Sequence, residues 1–310
     1  MTNDFKADIL RDFEVRKTKK QKTHFIEYVR EIFGDRMKLE ESGTLIKSRN
    51  IIIGDPSRAK KIFTAHYDTC ARLFIPNFIT PFNIPVYLIY QIIVGILLLV
   101  IPFGLSLLAT MFTNSFILTE IALFIPFLAE MYLITSGPAN PHTANDNTSG
   151  VVCVLELAAR LVHDPDCAFV LFDNEELGLF GSAAFAKKYP DIRKNTIVIN
   201  FDCVSDGDTI VSIASKRAEL TKDWAQINAR ASSVFSKYGK SHLPSPKRGT
   251  IYPSDQFNFK NSIAFCALKK SKCRFIGYYM DKIHTPRDTV FDKSNIDAIC
   301  ELFAGSEDLR

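Results

Sequence analysis

The stretch Cys167–Ser182, CAFVLFDNEELGLFGS, decides how this chain is read. Its first residues form an apolar strand that stops before two adjacent carboxylates, Glu175 and Glu176, and a glycine-bounded helix start follows. Beyond the regular pleat, consecutive side chains need not face opposite ways. One carboxylate could then ligate a metal while its neighbour overhangs the metal's open position, where a base takes the proton of an activated water. The same pair also fits a solvated strand-to-helix turn, because carboxylates at a helix start favour the macrodipole. The remaining motifs have to decide between these readings.

With 310 residues and 47% hydrophobic content, the chain suffices for one large domain, or for one domain with an insertion. A formal charge of +4 leaves no electrostatic footprint for nucleic acid beyond one local basic run. The seven cysteines include no C-x-x-C and mostly sit in apolar runs, so they read as reduced, buried small hydrophobes. The opening MTNDFKADILRDF intersperses acids and lacks an apolar core, unlike a secretory signal peptide. Together these features predict a cytoplasmic location for the bulk of the protein.

The apolar spacing from Asp4 to Phe33 predicts a helical segment, with the run RKTKKQK (Arg16–Lys22) as a solvated face or, beside a membrane, a contact for anionic headgroups. Strands are expected near 38–47 and 50–53. After the turn Gly54-Asp55-Pro56, the strand KIFTAHYDT ends at His66 and Asp68. An H-x-D at a strand exit offers an imidazole to a metal and a carboxylate to fix its tautomer. Further on, Asp146 and Asn147 precede a helix predicted over 148–162. Asp146 can be read as a helix cap, or as a carboxylate presenting its two oxygens to two cations. The strand NTIVINFD ends on Asp202. If these strands are parallel, His66, Glu175, Glu176 and Asp202 converge at their carboxyl ends. The trio Asp202, Asp206 and Asp208 lacks the ligand alternation of a calcium loop. A strand near 209–214, a helix near 217–238, a loop from His242 to Phe259 and the strand SIAFCAL lead to the turn H-T-P-R-D, which carries His284 and Asp288. A helix over 294–303 closes the domain. The fold expected is α/β, with a mixed, largely parallel central sheet flanked by helices.

Between Arg72 and Glu120 no charged side chain or histidine occurs. Within that run Ile84 to Ala109 would, as helix, extend about 39 Å at about 1.5 Å per residue, and about 20 residues suffice to cross a bilayer's hydrocarbon. A second apolar stretch, Phe116 to Thr135, is interrupted by Glu120, Pro126 and Glu130. Residues 73–135 therefore read as an inserted apolar helical hairpin turning near 110–115. Basic residues Arg58, Lys60, Lys61 and Arg72 on its entry side place both ends in the cytoplasm if it spans a membrane. The competing reading is a soluble apolar cap or dimer-forming arm over the site. Residues 1–72 (with an N-terminal helix over 1–34) and 136–310 then make up the main domain.

In order the chain presents H-x-D, D-N-x-S-G, N-E-E-x-G-x-x-G-S, N-F-D and H-T-P-x-D-T. This series resembles the co-catalytic zinc aminopeptidases of the aminopeptidase Y and bacterial leucyl aminopeptidase type (the clan MH metallopeptidases), over about 51–72 and 136 onward. The resemblance implies a zinc-exopeptidase fold with two zinc ions per chain and peptide substrates bearing a free N-terminus. It also implies that Asp146 bridges the ions, Glu176 and His284 complete one, and His66 and Asp202 complete the other. Glu175 becomes the general base and Asp68 the partner of His66. The segment Ser254–Phe257, S-D-Q-F, is similar to the family's S-D-H-x-x-F, with Gln256 where histidine is usual. The insertion after His66 also departs from the family. Two alternatives are a glutaminyl cyclase-like enzyme with a single zinc, and a non-enzymatic membrane receptor or scaffold of the same fold. The cyclases carry tryptophan just before the final histidine, and Ile283 stands there in this chain.

Overall fold

The computed structural model describes residues 4–245 and 249–305. Residues 1–3 of the N-terminal segment, residues 246–248 of the loop expected after His242, and residues 306–310 lie outside them. Helices α1 (Phe5–Asp12) and α2 (Lys19–Phe33) lead into strands β1 (Met37–Ser42), β2 (Ser48–Ile53) and β3 (Lys61–His66). The long helices α3 (Ile84–Phe112) and α4 (Phe116–Ser136) follow, and then α5 (Gly150–Leu161), β4 (Cys167–Phe172), α6 (Phe180–Lys188), α7 (Pro190–Lys194) and β5 (Ile197–Phe201). The chain continues through β6 (Thr209–Ala214), α8 (Lys222–Lys237), β7 (Ser241–Pro244), β8 (Ser262–Lys270), β9 (Tyr278–Tyr279) and α9 (Lys293–Ala304).

The sheet order is β1-β2-β4-β3-β5-β8-β6-β7, with β9 on β8. Its centre, β4-β3-β5-β8, is parallel, whereas β1, β2 and β6 join antiparallel. This is the mixed, largely parallel sheet the sequence predicts. Alternation along each central strand fills two layers, because successive side chains leave opposite faces. Phe169 and Leu171 of β4, with Phe63 and Phe201, pack beneath α5 and α9; Ala168, Val170 and Phe172 pack beneath α6 and α7. Phe63 stacks between Phe169 and Phe201 at ring separations of 5.5 and 6.3 Å, and Phe303 of α9 meets it edge-on. A buried aromatic of this size contributes about 1.5–3 kcal/mol, so this stack fixes the spacing of the three strands that carry the site.

Two expectations need correction. The N-terminal segment is two helices, broken where Arg16 turns inward. Fully buried, Arg16 donates to the Tyr67 carbonyl at 2.6 Å and to Thr148 Oγ1 at 3.1 Å. The run RKTKKQK is therefore not a solvated face throughout: Lys19 and Lys20 are exposed, but Lys22 is buried and its Nζ lies 2.5 Å from Asp173 Oδ1. A capping box between Thr18 and Gln21 starts α2 after this break.

Helices α3 and α4 form a hairpin that turns at Thr113–Ser115. Their most apolar 18-residue windows have mean hydropathies of 2.8 and 1.9, and both helices are long and apolar enough to cross a membrane. Their apolar side chains face outward: Ile92 and Leu128 are each 62% exposed, and Pro102 is the only buried residue of α3.

Candidate functional site

Parallel strands bring their carboxyl ends to one edge. Strand β3 therefore delivers His66, Tyr67 and Asp68 between the turn after β4, which carries Asp173 to Glu176, and Asp202 after β5. A wound turn at Ala144–Ser149 drops into the gap from the amino end of α5. Asp146 and Asn147 within it are non-helical, and the peptide between them is cis. Gly150 follows because a Cβ there would meet the Phe201 carbonyl at 2.3 Å and Asn147 Oδ1 at 2.4 Å. Gly181 similarly lets α6 approach the β4 exit, where a Cβ would lie 2.2 Å from the Asp173 carbonyl.

Asp146 faces two histidines at once. Its Oδ1 lies 3.3 Å from His66 Nε2, and its Oδ2 lies 2.9 Å from His284 Nε2. Asp202 Oδ1 is 3.6 Å from His66 Nε2, and Glu176 Oε2 is 3.4 Å from His284 Nε2. Capping does not explain Asp146, because Ser149 is the cap residue of α5. It is Asn147 whose Oδ1 accepts from the N–H groups of Gly150 and Cys203, at 3.0 and 3.2 Å. His284 sits at φ +60°, a sparsely populated conformation for a non-glycine residue and one that recurs at functional sites. Donor atoms of His66, Asp146 and Asp202 lie within 4.8 Å of one another, as do those of His66, Glu175 and Glu176. A pocket of about 290 Å³ opens over these groups and is walled on one side by Asn77, Ile79, Tyr87 and Gln91 of the inserted region.

Asp68 has a second role beside the one its spacing suggests. Its carboxylate lies 3.7 Å from His66 Nδ1, which instead faces the Asp68 carbonyl at 3.1 Å. The carboxylate accepts the backbone N–H groups of Glu175 at 3.0 Å and Glu176 at 3.2 Å, so it sets the turn that carries the glutamate pair. Asp288 does the same for the opposite wall, accepting from the N–H groups of Asn145 and Asp146 at 2.9 and 3.0 Å. Gln256 ties Asn200 of β5 to the Tyr252 carbonyl and does not line the pocket.

Buried acids crowd this edge. Burial, together with the neighbouring charge of Asp146, raises Glu176 to about 8, and burial raises Glu175 well above the carboxylate range. Burial pulls His284 down, but Glu176 and Asp146 outweigh it and lift the imidazole to about 9. The protein on its own thus holds protons where a cation would relieve the same repulsion. Glu176 Oε1 is buried without a hydrogen-bond partner, and the donors are imidazoles and carboxylates, the set that suits zinc. These residues fit a metal centre.

Several contributors escaped the sequence reading. Cys70, a small buried hydrophobe by its sequence context, places its sulfur within 4.8 Å of Glu176 and His284 donor atoms. Lys22, Asp173 and Asn174 form a buried polar link below the glutamate turn. Tyr252 lines the pocket and donates to the Asp202 carbonyl at 3.0 Å. The aromatic at 252, five residues before Phe257 in the recognised S-D-Q-F region, was the one signal available for it.

The sequence model of Peptidase family M28 matches residues 131–305. No curated protein matches the chain. Among solved structures, the fold is similar to a Zn-dependent exopeptidase from Parabacteroides distasonis, at 15% identity and TM-score 0.56, covering 99% of this chain and 97% of that one. It is similar to the glutaminyl cyclase of Tannerella forsythia, at 17% identity and TM-score 0.57, covering 96% and 94%. It is also similar to the LapA aminopeptidase of Legionella pneumophila, at 13% identity and TM-score 0.54, covering 97% and 67%.

Proposed function

We propose that this chain, which belongs to peptidase family M28, is a two-zinc aminopeptidase that removes N-terminal residues from peptides. The observation that carries this reading is Asp146, whose two carboxylate oxygens each face a different histidine, at 3.3 and 2.9 Å. His66 and Asp202 would hold one ion, His284 and Glu176 the other, and Asp146 both. A single-zinc centre would use only one of the two pairs, His66 with Asp202 or His284 with Glu176, whereas a two-zinc centre uses both.

When bound, such ions polarise the scissile carbonyl and lower the pKa of a bound water. Glu175, which is not needed as a ligand, takes the proton of the attacking water and hands it to the departing amine. Desolvation raises its pKa well above the ordinary carboxylate value, which makes it a stronger base toward a water proton. Asp68 holds the Glu175 backbone so that the carboxylate stays over the pocket. Tyr252, with Asn77, Ile79, Tyr87 and Gln91, lines the pocket beside these groups.

The hairpin α3–α4 inserts in a membrane, with the catalytic domain on the cytoplasmic side. Supporting this, its outward faces are apolar, and basic groups stand at its base, where Lys17 Nζ reaches the Thr135 carbonyl at 3.0 Å near the end of α4.

The test is a panel of aminoacyl anilides, including a glutaminyl one scored for both hydrolysis and cyclisation, assayed with metal quantified in the same sample. About two zinc equivalents are expected, with chelator-sensitive hydrolysis and a loss of about 10²–10⁴ in kcat for Glu175→Gln. Full activity in that variant, or cyclisation without hydrolysis, would overturn the reading.

A further inference from the structure

Six cysteines are buried, and five of them have an apolar setting. Cys153, Cys167 and Cys300 pack in the core layer that holds Phe63 and Phe169, and Cys203 and Cys266 pack with Val211, Tyr252 and Leu268. Cys70, 2% exposed, belongs to no apolar group of the core. Its sulfur lies instead within 4.8 Å of donor atoms of Glu176 and His284. A buried cysteine ordinarily packs as a small hydrophobe. Packing does not explain this one.

The backbone around Cys70 is fixed on both sides. Its carbonyl accepts the Asn140 N–H at 3.2 Å, the Arg72 N–H donates to the Pro138 carbonyl at 2.8 Å, and the Leu73 N–H donates to the His284 carbonyl at 2.8 Å. Cys70 and His284 are thus held in one unit. The Glu176 side chain, 9% exposed, has its Oε1 buried without a hydrogen-bond partner. Burying a carboxylate oxygen with no partner is costly, and a cation offsets that cost. Cys70, Glu176 and His284 offer one donor each, and Asp146 Oδ2 stands 2.9 Å from His284 Nε2. Two donors of one zinc ion stand no more than about 4.4 Å apart, the sum of a Zn–S and a Zn–N bond. Small side-chain rotations therefore suffice to bring this set to one cation. Cys70 does not line the site pocket, so its thiol is placed to serve a ligand set and not a substrate.

We infer that Cys70 is a metal ligand, a thiolate that closes the coordination of the ion held by Asp146, Glu176 and His284. This rests on the two-zinc reading above and deepens it by making the two ions unequal. Four protein donors, one of them sulfur, make a closed zinc site, whereas His66, Asp202 and Asp146 supply three and leave a position open. That open position falls to the side of His66, which has a donor atom within 4.8 Å of one on Glu175. On binding, the thiol proton leaves to solvent and a sulfur lone pair takes the metal. A thiolate suits zinc and does not suit magnesium, calcium or manganese.

The test strips the full-length protein with chelator and titrates it with cobalt(II), whose bond to a thiolate gives a near-ultraviolet charge-transfer band that imidazole and carboxylate donors do not give. Two equivalents should bind, and one of them should bring the band to full height. The band should vanish in Cys70→Ser and persist in Cys203→Ser, which removes the thiol next to Asp202. Competition with a chelator should show zinc held at least about tenfold more weakly in one of the two steps in Cys70→Ser, since loss of even a supporting contact costs that much. Two equivalents bound to the native protein without the band overturns Cys70 as a ligand and leaves the two-zinc reading standing, whether or not any variant folds. A band that survives Cys70→Ser, or that Cys203→Ser removes, overturns it equally. Fewer than two equivalents in the native protein overturns the two-zinc reading itself.

Discussion

The Asp68 carboxylate accepts the Glu175 backbone N–H at 3.0 Å, and its other oxygen accepts that of Glu176 at 3.2 Å. One buried acid thus sets the direction of both glutamates. In Asp68→Asn one amide oxygen must serve both N–H groups or leave one facing an NH₂. We expect kcat to fall by about 10–100-fold, the usual cost of losing such a supporting contact, with bound zinc reduced far less than in His66→Ala. Unchanged kcat would show that the glutamate turn holds itself.

Buried Lys22 neutralises Asp173, which also accepts the Arg49 N–H at 2.9 Å. Removing only the cation leaves a carboxylate stranded out of water, at a cost of about 3–5 kcal/mol. Lys22→Met should therefore unfold at much lower denaturant, and Lys22→Met with Asp173→Asn should lie closer to the native protein. A double variant no better than the single would mean that Lys22 acts through Asn174 instead.

These contacts mark where the sequence is legible and where it is not. The apolar runs before His66, Glu175 and Asp202 are readable because strands covered on both faces must be apolar throughout, and parallel pairing then sends their exits to one edge. Nothing local distinguishes Arg16 and Lys22 from Lys19 and Lys20. Their burial depends on acceptors at Tyr67, Thr148 and Asp173, far along the chain. The spacing of two points from Asp68 to the His66 imidazole, 3.7 Å from its carboxylate, and conceals its closer contacts with the turn of the neighbouring strand. The short edge strands β7 and β9 went unread, since four and two residues carry no period.

His242 on β7 lies between Ser212 and Ser232, with its ring against Phe235, and burial lowers it to about 4. Its unfolded value is about 6.5. Between these values the unfolded chain binds the proton and the folded chain does not, so stability is full above about pH 6.5 and declines as pH falls toward about 4. The difference in unfolding midpoint between native protein and His242→Asn should shift against the native protein across that window. A constant difference would mean that the imidazole is free to ionise where it stands.

Outward apolar faces on α3 and α4 make the hairpin's partition measurable. Native protein should resist carbonate extraction, whereas Ile96→Arg with Val100→Arg adds about 2.5–3.5 kcal/mol of insertion cost per residue near the middle of α3 and should move the chain to the soluble fraction. Release of native protein by carbonate would instead favour a cap or a dimer-forming arm.

The acid cluster predicts opposite behaviour with and without metal. Burial and Asp146 keep a proton on Glu176, up to about 8, so in metal-free protein at neutral pH Glu176→Gln replaces a protonated acid with a close isostere. Its unfolding temperature should match or exceed that of metal-free native protein. Zinc at 1,000 times its dissociation constant should stabilise the native protein by about 4 kcal/mol, and Glu176→Gln should lose most of that gain because one ion loses a carboxylate donor. If zinc raised the unfolding temperature of both proteins equally, Glu176 would not be a ligand, and Cys70, beside it and His284, would be the next donor to replace.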